Sequence, residues 1–209
     1  MIEPASDEGQ RAIATFTVPD GMKVELVAAE PDLANPVSFC FDERGRIYVT
    51  ESFRIKHGVE DNRAHMDWLD EDLAAKTIGD RLAYEKKHLG DRIGDYVERS
   101  DRIKLLEDRD GDGRVDHSSI FADGFNDILD GNGAGVLANH GDVYYTCIPH
   151  LWKLSGESSD GRATKRESLS EGYGVKTTLM GHDMHGLIVG PDGKLYFSIG
   201  DRGLNVEVP

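Results

Sequence analysis

The sequence predicts an all-β fold, a partial β-propeller of four-stranded antiparallel sheets with one helical insertion. Three observations indicate this fold. One pattern, an apolar strand, a turn that ends in glycine and a second strand with a tyrosine, returns along the chain. The 24 glycines among 209 residues favour many short strands. The stretch at 52–100 interrupts the repeat and changes from alternating to helical periodicity.

The repeated pattern occurs at 39–49, 136–145 and 188–197. A second hairpin follows each of the first two copies, and 103–114 aligns with 151–162. Four strands in about 50 residues are typical of one propeller blade. The sequence therefore predicts two complete blades and the first hairpin of a third. Since propellers have four to eight blades, we expect the chain to be the N-terminal part of a larger polypeptide.

The interruption predicts a helical insertion at about 57–95. Apolar residues recur at helical spacing through this charged segment: Leu69, Leu73, Ile78, Leu82 and Leu89. We expect the insertion to cover one end of the propeller. The remaining boundaries are a flexible N-terminus at 1–15 and a propeller region at 16–209.

Composition excludes several functional classes. The net charge of −15 argues against a nucleic-acid partner, because binding to a phosphate backbone needs basic surfaces. Cys40 and Cys147 lie in apolar runs and are expected to be small buried thiols. The first ten residues lack the pattern of a signal peptide, and no run approaches the length of a membrane span. The chain by itself thus favours a cytoplasmic location and no transmembrane segment.

The third hairpin carries the strongest candidate for catalysis. Pro191 and Gly193 suit the second and fourth positions of a turn between the runs 187–189 and 195–199. A turn centred on 191–192 sets His182 opposite Asp201, whereas a bulged turn would slip the partner to Arg202. An imidazole held by a carboxylate is the arrangement of a general base and its orienting acid. When the three copies of the pattern are aligned on their turn glycines, the place of His182 is taken by Asp130 in the second copy and by Ala34 in the first. A blade therefore does not require a histidine at this place.

A second candidate site is the acidic turn at 108–116. Carboxylates occupy positions 1, 3, 5 and 9 of a calcium-type loop, and Ser119 replaces the glutamate expected at position 12. The four carboxylates belong to Asp108, Asp110, Asp112 and Asp116. Two interpretations stay open, a calcium site and an acidic hairpin turn whose aspartates satisfy the backbone.

Two further residues are candidate ligand contacts. Asn132 lies in the glycine-rich segment 127–135, at the same predicted end as His182, and the alternative is a plain glycine-rich entry into the blade. Arg202 could bind an anionic group or pair with one of the many acids. His185 is expected to pack or to hydrogen-bond beside the pair, and Trp152 to lie in the core between blades.

The third hairpin resembles the soluble pyrroloquinoline quinone (PQQ) dependent glucose and aldose-sugar dehydrogenases. The resemblance rests on His182 eight residues before the turn, on the segment 199–203 after it and on the segment 130–133. It implies a six-bladed propeller in which His182 is the catalytic base and Asp201 orients it. It also implies that Arg202 stands where the glucose enzymes have glutamine, and that Asn132 takes the place of a glutamine near the active site.

Over nearly the whole chain, the sequence is similar to the membrane-bound dehydrogenase propeller domain of Planctomycetes and Verrucomicrobia. The motifs that carry this similarity are 18–22, 46–51, 68–74, 108–113 and 181–183. The resemblance implies a periplasmic or secreted protein, further blades and a C-terminal cytochrome c-type module that this chain lacks. In the sugar dehydrogenases the basic residues that bind PQQ come from later blades.

These observations lead to three hypotheses. The first is part of a PQQ-type dehydrogenase that oxidises a sugar or alcohol hydroxyl, with calcium at 108–116. The second is a non-catalytic propeller that binds carbohydrate or a protein partner. The third, a lactonase-like hydrolase, needs acidic or asparagine ligands around a central calcium, whereas the candidate central residues here are histidine and arginine.

Overall fold

The structure is a computed structural model that describes residues 2–206. Met1 and the final part of the predicted propeller region, 207–209, lie outside the described residues. The helices are α1 (Glu8–Ile13), α2 (Leu69–Ala74) and α3 (Ile78–Leu89). The strands are β1 (Pro36–Phe41), β2 (Ile47–Glu51), β3 (Asp101–Glu107), β4 (His117–Phe125), β5 (Gly135–Asn139), β6 (Asp142–Cys147), β7 (His150–Glu157), β8 (Ala163–Glu171), β9 (Met184–Val189) and β10 (Leu195–Ile199).

The strands form three antiparallel sheets. The first has the order β1-β2-β3-β4, the second β5-β6-β7-β8, and the third contains β9 and β10. Neighbouring strands are consecutive in sequence, so each sheet is a meander. The prediction of two four-stranded units followed by one hairpin is confirmed, and so is the mainly β character of the chain.

The main core lies between the first and second sheets. Tyr48, Ile103 and Phe125 of the first sheet pack with Tyr145 and Leu154 of the second, all at most 3% exposed. Burying such a side chain contributes about 1.5–3 kcal/mol. Trp152 packs against this core, as predicted. Strand β5 contacts both β1 and β9, so the first strands of the three sheets lie side by side.

The apolar runs predict two buried thiols, and the structure buries Cys147 fully and Cys40 in part. Cys147 is buried in the main core, and Cys40 packs against its edge. Burial raises the pKa of the Cys40 thiol to about 11 and that of Cys147 well above its ordinary value. Both thiols are therefore protonated and unreactive at neutral pH.

The predicted helical insertion is present between β2 and β3. It comprises α2, α3 and short 3-10 helices at Asn62–Ala64, Met66–Trp68 and Gly90–Val97. A capping box between Thr77 and Asp80 starts α3. The insertion has its own small core of Trp68, Tyr84, Leu89 and Tyr96. Leu73 belonged to the predicted apolar face but is 59% exposed, because aromatic side chains fill this core instead.

The N-terminal segment at 1–15, predicted to be flexible, contains α1, which buries none of its residues. The two ends of the sheets differ in what they carry. The turn end holds the tight turns at 42–46, 108–116, 140–141, 158–162 and 190–194. The insertion end holds the insertion and the loops 126–134, 148–149, 172–183 and 200–206. Among residues 2–206, every helix is too short or too polar to cross a bilayer.

Candidate functional site

The β9–β10 hairpin brings His182 and Asp201 to the insertion end. The tight turn closes through a hydrogen bond of 2.9 Å from the Gly193 amide to the Gly190 carbonyl, and Gly193 has a φ of 76°. Beside this turn Val189 pairs with Leu195, which is the slipped register of a bulged turn. A second irregularity, between Tyr196 and Ser198, moves the pairing back by one residue. The two slips cancel and leave His182 opposite Asp201.

The predicted contact between these two side chains is confirmed. His182 Nδ1 lies 3.0 Å from Asp201 Oδ1, and the side chains are 47% and 52% exposed. Gly200 allows the strands to approach here, because a Cβ at this position would lie 2.8 Å from the His182 Cβ. The pair is therefore exposed to solvent, and a residue with a Cβ at position 200 would clash with His182.

The electrostatics suit a carboxylate that orients an imidazole. Partial burial of Asp201 is the largest single effect and acts to raise its pKa, but the contacts with His182 and Thr178 together outweigh it, so the pKa is lowered. Asp201 is thus ionised at neutral pH and accepts the Nδ1 proton of His182. None of the residues 2–206 forms a hydrogen bond with His182 Nε2. That nitrogen is therefore free to accept a proton from a bound hydroxyl group.

Arg202 and Asn132, the two predicted cofactor contacts, lie beneath this pair and not on its open side. Arg202 is 2% exposed, and its Nε lies 3.3 Å from Oδ1 of the buried Asp183. Asn132 is 5% exposed and donates to Asp183 Oδ2 over 3.3 Å. It also accepts a hydrogen bond of 3.2 Å from Ser52 Oγ at the end of β2. Both side chains face Asp183, for which the sequence predicted no role.

The insertion holds the loop that delivers His182. The Thr177 amide donates to Asp72 Oδ1 over 2.7 Å, and the Tyr84 hydroxyl donates to the same oxygen over 2.6 Å. The Asn62 amide donates to the Thr178 carbonyl over 2.9 Å. These contacts tie α2, α3 and the lead-in of the insertion to the loop at 172–183. The insertion therefore supports the site from one side, which its sequence did not reveal.

Buried carboxylates join the first sheet to the segment before β5. Asp101 is fully buried and accepts hydrogen bonds from the amides of Phe53 (2.7 Å) and Gly133 (2.9 Å). Burial raises the pKa of Asp101, and it raises the pKa of Asp130 to about 6. Arg54, also fully buried, donates to the Asp130 carbonyl over 2.8 Å. These groups fix the glycine-rich segment next to Asn132.

The acidic turn at 108–116 lies at the turn end, away from His182. Carboxylate oxygens of Asp108, Asp110 and Asp116 lie within 4.8 Å of one another on the surface. Asp112, predicted as a fourth ligand, is not in this group, and its Oδ1 accepts from the Arg114 amide over 2.8 Å. Amide donors, first that of Gly113, lower the pKa of Asp108. The structure thus gathers three of the four predicted ligands.

A cavity of about 360 Å³ opens at the insertion end between the outer strands of the first and second sheets. Its lining includes Phe125, Asp127, His150, Trp152, Arg166 and Glu171. The His150 ring lies 4.4 Å from the Trp152 ring, and burial lowers the pKa of His150, so this imidazole is neutral near pH 7. The lining thus combines aromatic rings with acidic groups.

Comparisons with known proteins give one family. No curated protein and no solved structure matches the sequence. One family model, described as a domain of unknown function (DUF7133), matches residues 8–209. This match includes all ten strands, the insertion, and both members of the His182–Asp201 pair. The chain therefore belongs to the DUF7133 family.

Proposed function

We propose that the three sheets are consecutive blades of a β-propeller. Two features support this arrangement: the first strands of the sheets lie side by side, and apolar side chains are exposed on both outermost faces. On the first sheet, Phe39 and Phe41 are 63% and 59% exposed, and on the third sheet, Ile188 and Tyr196 are 61% and 50% exposed. In a ring of blades, neighbouring sheets bury such faces.

The function that we propose is oxidation of a sugar or alcohol hydroxyl by an oxidoreductase of the PQQ-dependent type. The observation that carries it is the contact of 3.0 Å between His182 Nδ1 and Asp201 Oδ1, with the imidazole open to solvent. His182 Nε2 takes the hydroxyl proton of the substrate. Asp201 holds the ring in the Nδ1-protonated tautomer and stabilises the imidazolium that forms.

The described residues do not by themselves fit a PQQ site. The quinone carries carboxylates that need cationic partners, whereas Arg202 is buried against Asp183 and Asn132 is engaged by Ser52 and Asp183. We therefore assign proton transfer alone to the residues described here. The cofactor remains part of the proposal on the resemblance of the hairpin, and residues outside 2–206 would have to bind it.

We also propose that calcium binds the acidic turn through Asp108, Asp110 and Asp116. Three carboxylates within 4.8 Å of one another suit a hard cation that prefers oxygen ligands. The turn lies at the end of the sheets opposite His182, so the role of this ion would be structural. It would stabilise the turn between β3 and β4 by linking its carboxylates.

A second candidate function is carbohydrate binding without catalysis. The cavity of about 360 Å³ beside Trp152 favours it, because sites for small ligands combine aromatic walls with a few polar groups. Asp127 and Glu171 supply acceptors for sugar hydroxyls at its edge.

One pair of assays separates the two candidates. The full-length protein is supplied with PQQ and calcium, and reduction of an artificial electron acceptor is followed with a panel of sugars and alcohols. Binding of the same compounds is measured by saturation-transfer NMR on wild type and Trp152→Ala. Turnover that depends on His182 supports the dehydrogenase, whereas binding that depends on Trp152 without turnover supports the binding protein. Absence of both results would exclude both proposals.

A further inference from the structure

The residues that follow His182 and Asp201, namely Asp183 and Arg202, form a second pair of polar side chains, and this pair is buried. Both pairs lie just beyond the paired ends of β9 and β10, which are Met184 and Ile199. His182 and Asp201 stand in solvent, whereas the side chains of Asp183 and Arg202 are 1% and 2% exposed. The exposed pair and the buried pair therefore share the same two backbone segments.

Little on the exposed side holds the two catalytic candidates in place. Both side chains are about half exposed, and an exposed contact of this kind keeps its geometry weakly because the side chains lose entropy and water competes for the hydrogen bond. A general base nevertheless needs its orienting group within hydrogen-bonding distance. Residues on the buried side of the hairpin must therefore hold these two side chains in place.

We propose that Asp183 and Arg202 are positioning residues that hold His182 and Asp201 in contact. The Arg202 Nε lies 3.3 Å from Asp183 Oδ1, an ion-pair contact in which neither atom has a hydrogen-bond partner among the described residues. This contact joins the two segments just beyond the paired strands. A buried ion pair adds little net stability over apolar packing, but it tolerates few alternative arrangements. It fixes the spacing of residues 182 and 201 because each is covalently joined to a member of the pair.

Asp183 also anchors this support to the other two sheets. Its Oδ2 accepts from Asn132 before β5, and Asn132 accepts from Ser52 at the end of β2. Gly131 leaves the space for this carboxylate, because a Cβ there would lie 2.5 Å from Asp183 Oδ1. The chain Ser52–Asn132–Asp183–Arg202 thus runs from the first sheet to the third beneath the exposed pair. The catalytic part of this role rests on the proposed function, but the positioning itself does not.

The test uses NMR of ¹⁵N-labelled imidazole in the full chain, at alkaline pH and without substrate. In the wild type we expect the Nδ1-protonated tautomer of His182, since Asp201 accepts that proton. In Asp183→Asn, which leaves the Arg202 charge unpaired, we expect the ratio of Nδ1- to Nε2-protonated forms to fall roughly fivefold, as after the loss of one hydrogen bond. Arg202→Lys keeps both charges but changes their geometry, and should lower the ratio in the same direction if Asp183→Asn does not fold.

Glu51→Gln is the matched control. Glu51 is fully buried and paired with Arg102 in the first sheet, so this variant also breaks a buried ion pair. It should lower the melting temperature and leave the His182 tautomer ratio unchanged. Unchanged ratios in folded Asp183→Asn or Arg202→Lys would overturn the positioning role, as would an equal change in Glu51→Gln. A changed ratio in a protein that oxidises no sugar would uphold the positioning role and reject the proposed function.

Discussion

At the scale of single residues, the contact between His182 and Asp201 depends on two small irregularities in one hairpin. Pro191 and Gly193 make the turn predictable, and they also allow the bulge that would bring Arg202 opposite His182. The second irregularity, between Tyr196 and Ser198, restores the partner. No residue in β10 marks it in the sequence, so the sequence predicted both partners and only the structure selects Asp201.

The buried residues around the pair were harder to predict. Asp183 directly follows His182 in the sequence, but its burial results from the packing of three sheets. Sequence patterns reveal which residue types can do chemistry. They do not reveal which charged side chains are covered by distant segments, and for that reason Arg202 and Asn132 were expected to contact a ligand.

The first prediction concerns the pH dependence of the exposed pair. Because the folded-state pKa of Asp201 is lowered, its contact with His182 contributes stability above the pKa of an unfolded aspartate, about 3.9. That contribution is lost as the pH falls through the folded-state pKa. Titration of the Asp201 carboxyl by ¹³C NMR should give a lower midpoint in the wild type than in His182→Ala. Equal midpoints in the two proteins would mean that the hydrogen bond does not form in solution.

The second prediction concerns Gly131, which lies between Asp183 and Ile148. An added Cβ would lie 2.5 Å from Asp183 Oδ1 and 2.4 Å from Ile148 Cγ1. We expect Gly131→Ala to lower the free energy of unfolding by about 1–3 kcal/mol, as overpacking does. Urea denaturation measures this change. Gly94→Ala is the control, because a Cβ at that position meets nothing within 4 Å. Equal effects of the two substitutions would contradict the packing described here.

At the scale of elements, the hairpins were predictable and their exact equivalence was not. The strands β5 and β6 are joined by only two residues, His140 and Gly141, whereas β9 and β10 are joined by the longer segment 190–194. Offsets measured on the turn glycines therefore do not hold along the first strands. For this reason, His182 and Asp130 do not occupy the same place relative to the first strands of their sheets.

The third prediction concerns the turn between β3 and β4. If Asp108, Asp110 and Asp116 bind calcium, the ion stabilises the folded state by mass action. Adding calcium to the chelated protein should then raise the melting temperature by a few degrees, and Asp110→Asn should abolish most of this rise. Asp112→Asn is the control, since Asp112 lies outside the group of three, and it should keep most of the rise. A melting temperature independent of calcium would exclude the site.

At the scale of the whole molecule, the sequence repeat predicted the sheets, their strand count and the place of the insertion. Repeats are informative because each copy must build the same unit from the same turn and strand signals. The helical periodicity located the insertion but not its task, since its contacts with the loop at 172–183 join segments about 100 residues apart.

The fourth prediction tests whether the outer face of the first sheet is open in this chain. Phe39 is 63% exposed and Phe125 is 1% exposed. We expect Phe39→Ala to cost less than about 1 kcal/mol and Phe125→Ala about 3–5 kcal/mol in unfolding free energy. Chemical denaturation of the two variants gives both values. A comparable loss in Phe39→Ala would show that something covers this face, and the exposed faces would no longer support the propeller.

If His182 is a general base oriented by Asp201, as proposed, the kinetics of three variants will show it. In the PQQ- and calcium-supplied protein, kcat/KM for the best sugar or alcohol of the panel is measured for His182→Ala, Asp201→Asn and His185→Ala. His185, on the same hairpin, lies outside the pair and is the control. We expect a loss of about 10²–10⁴-fold in the first two and little change in the third. Turnover in His182→Ala equal to that of the wild type would contradict this proposal.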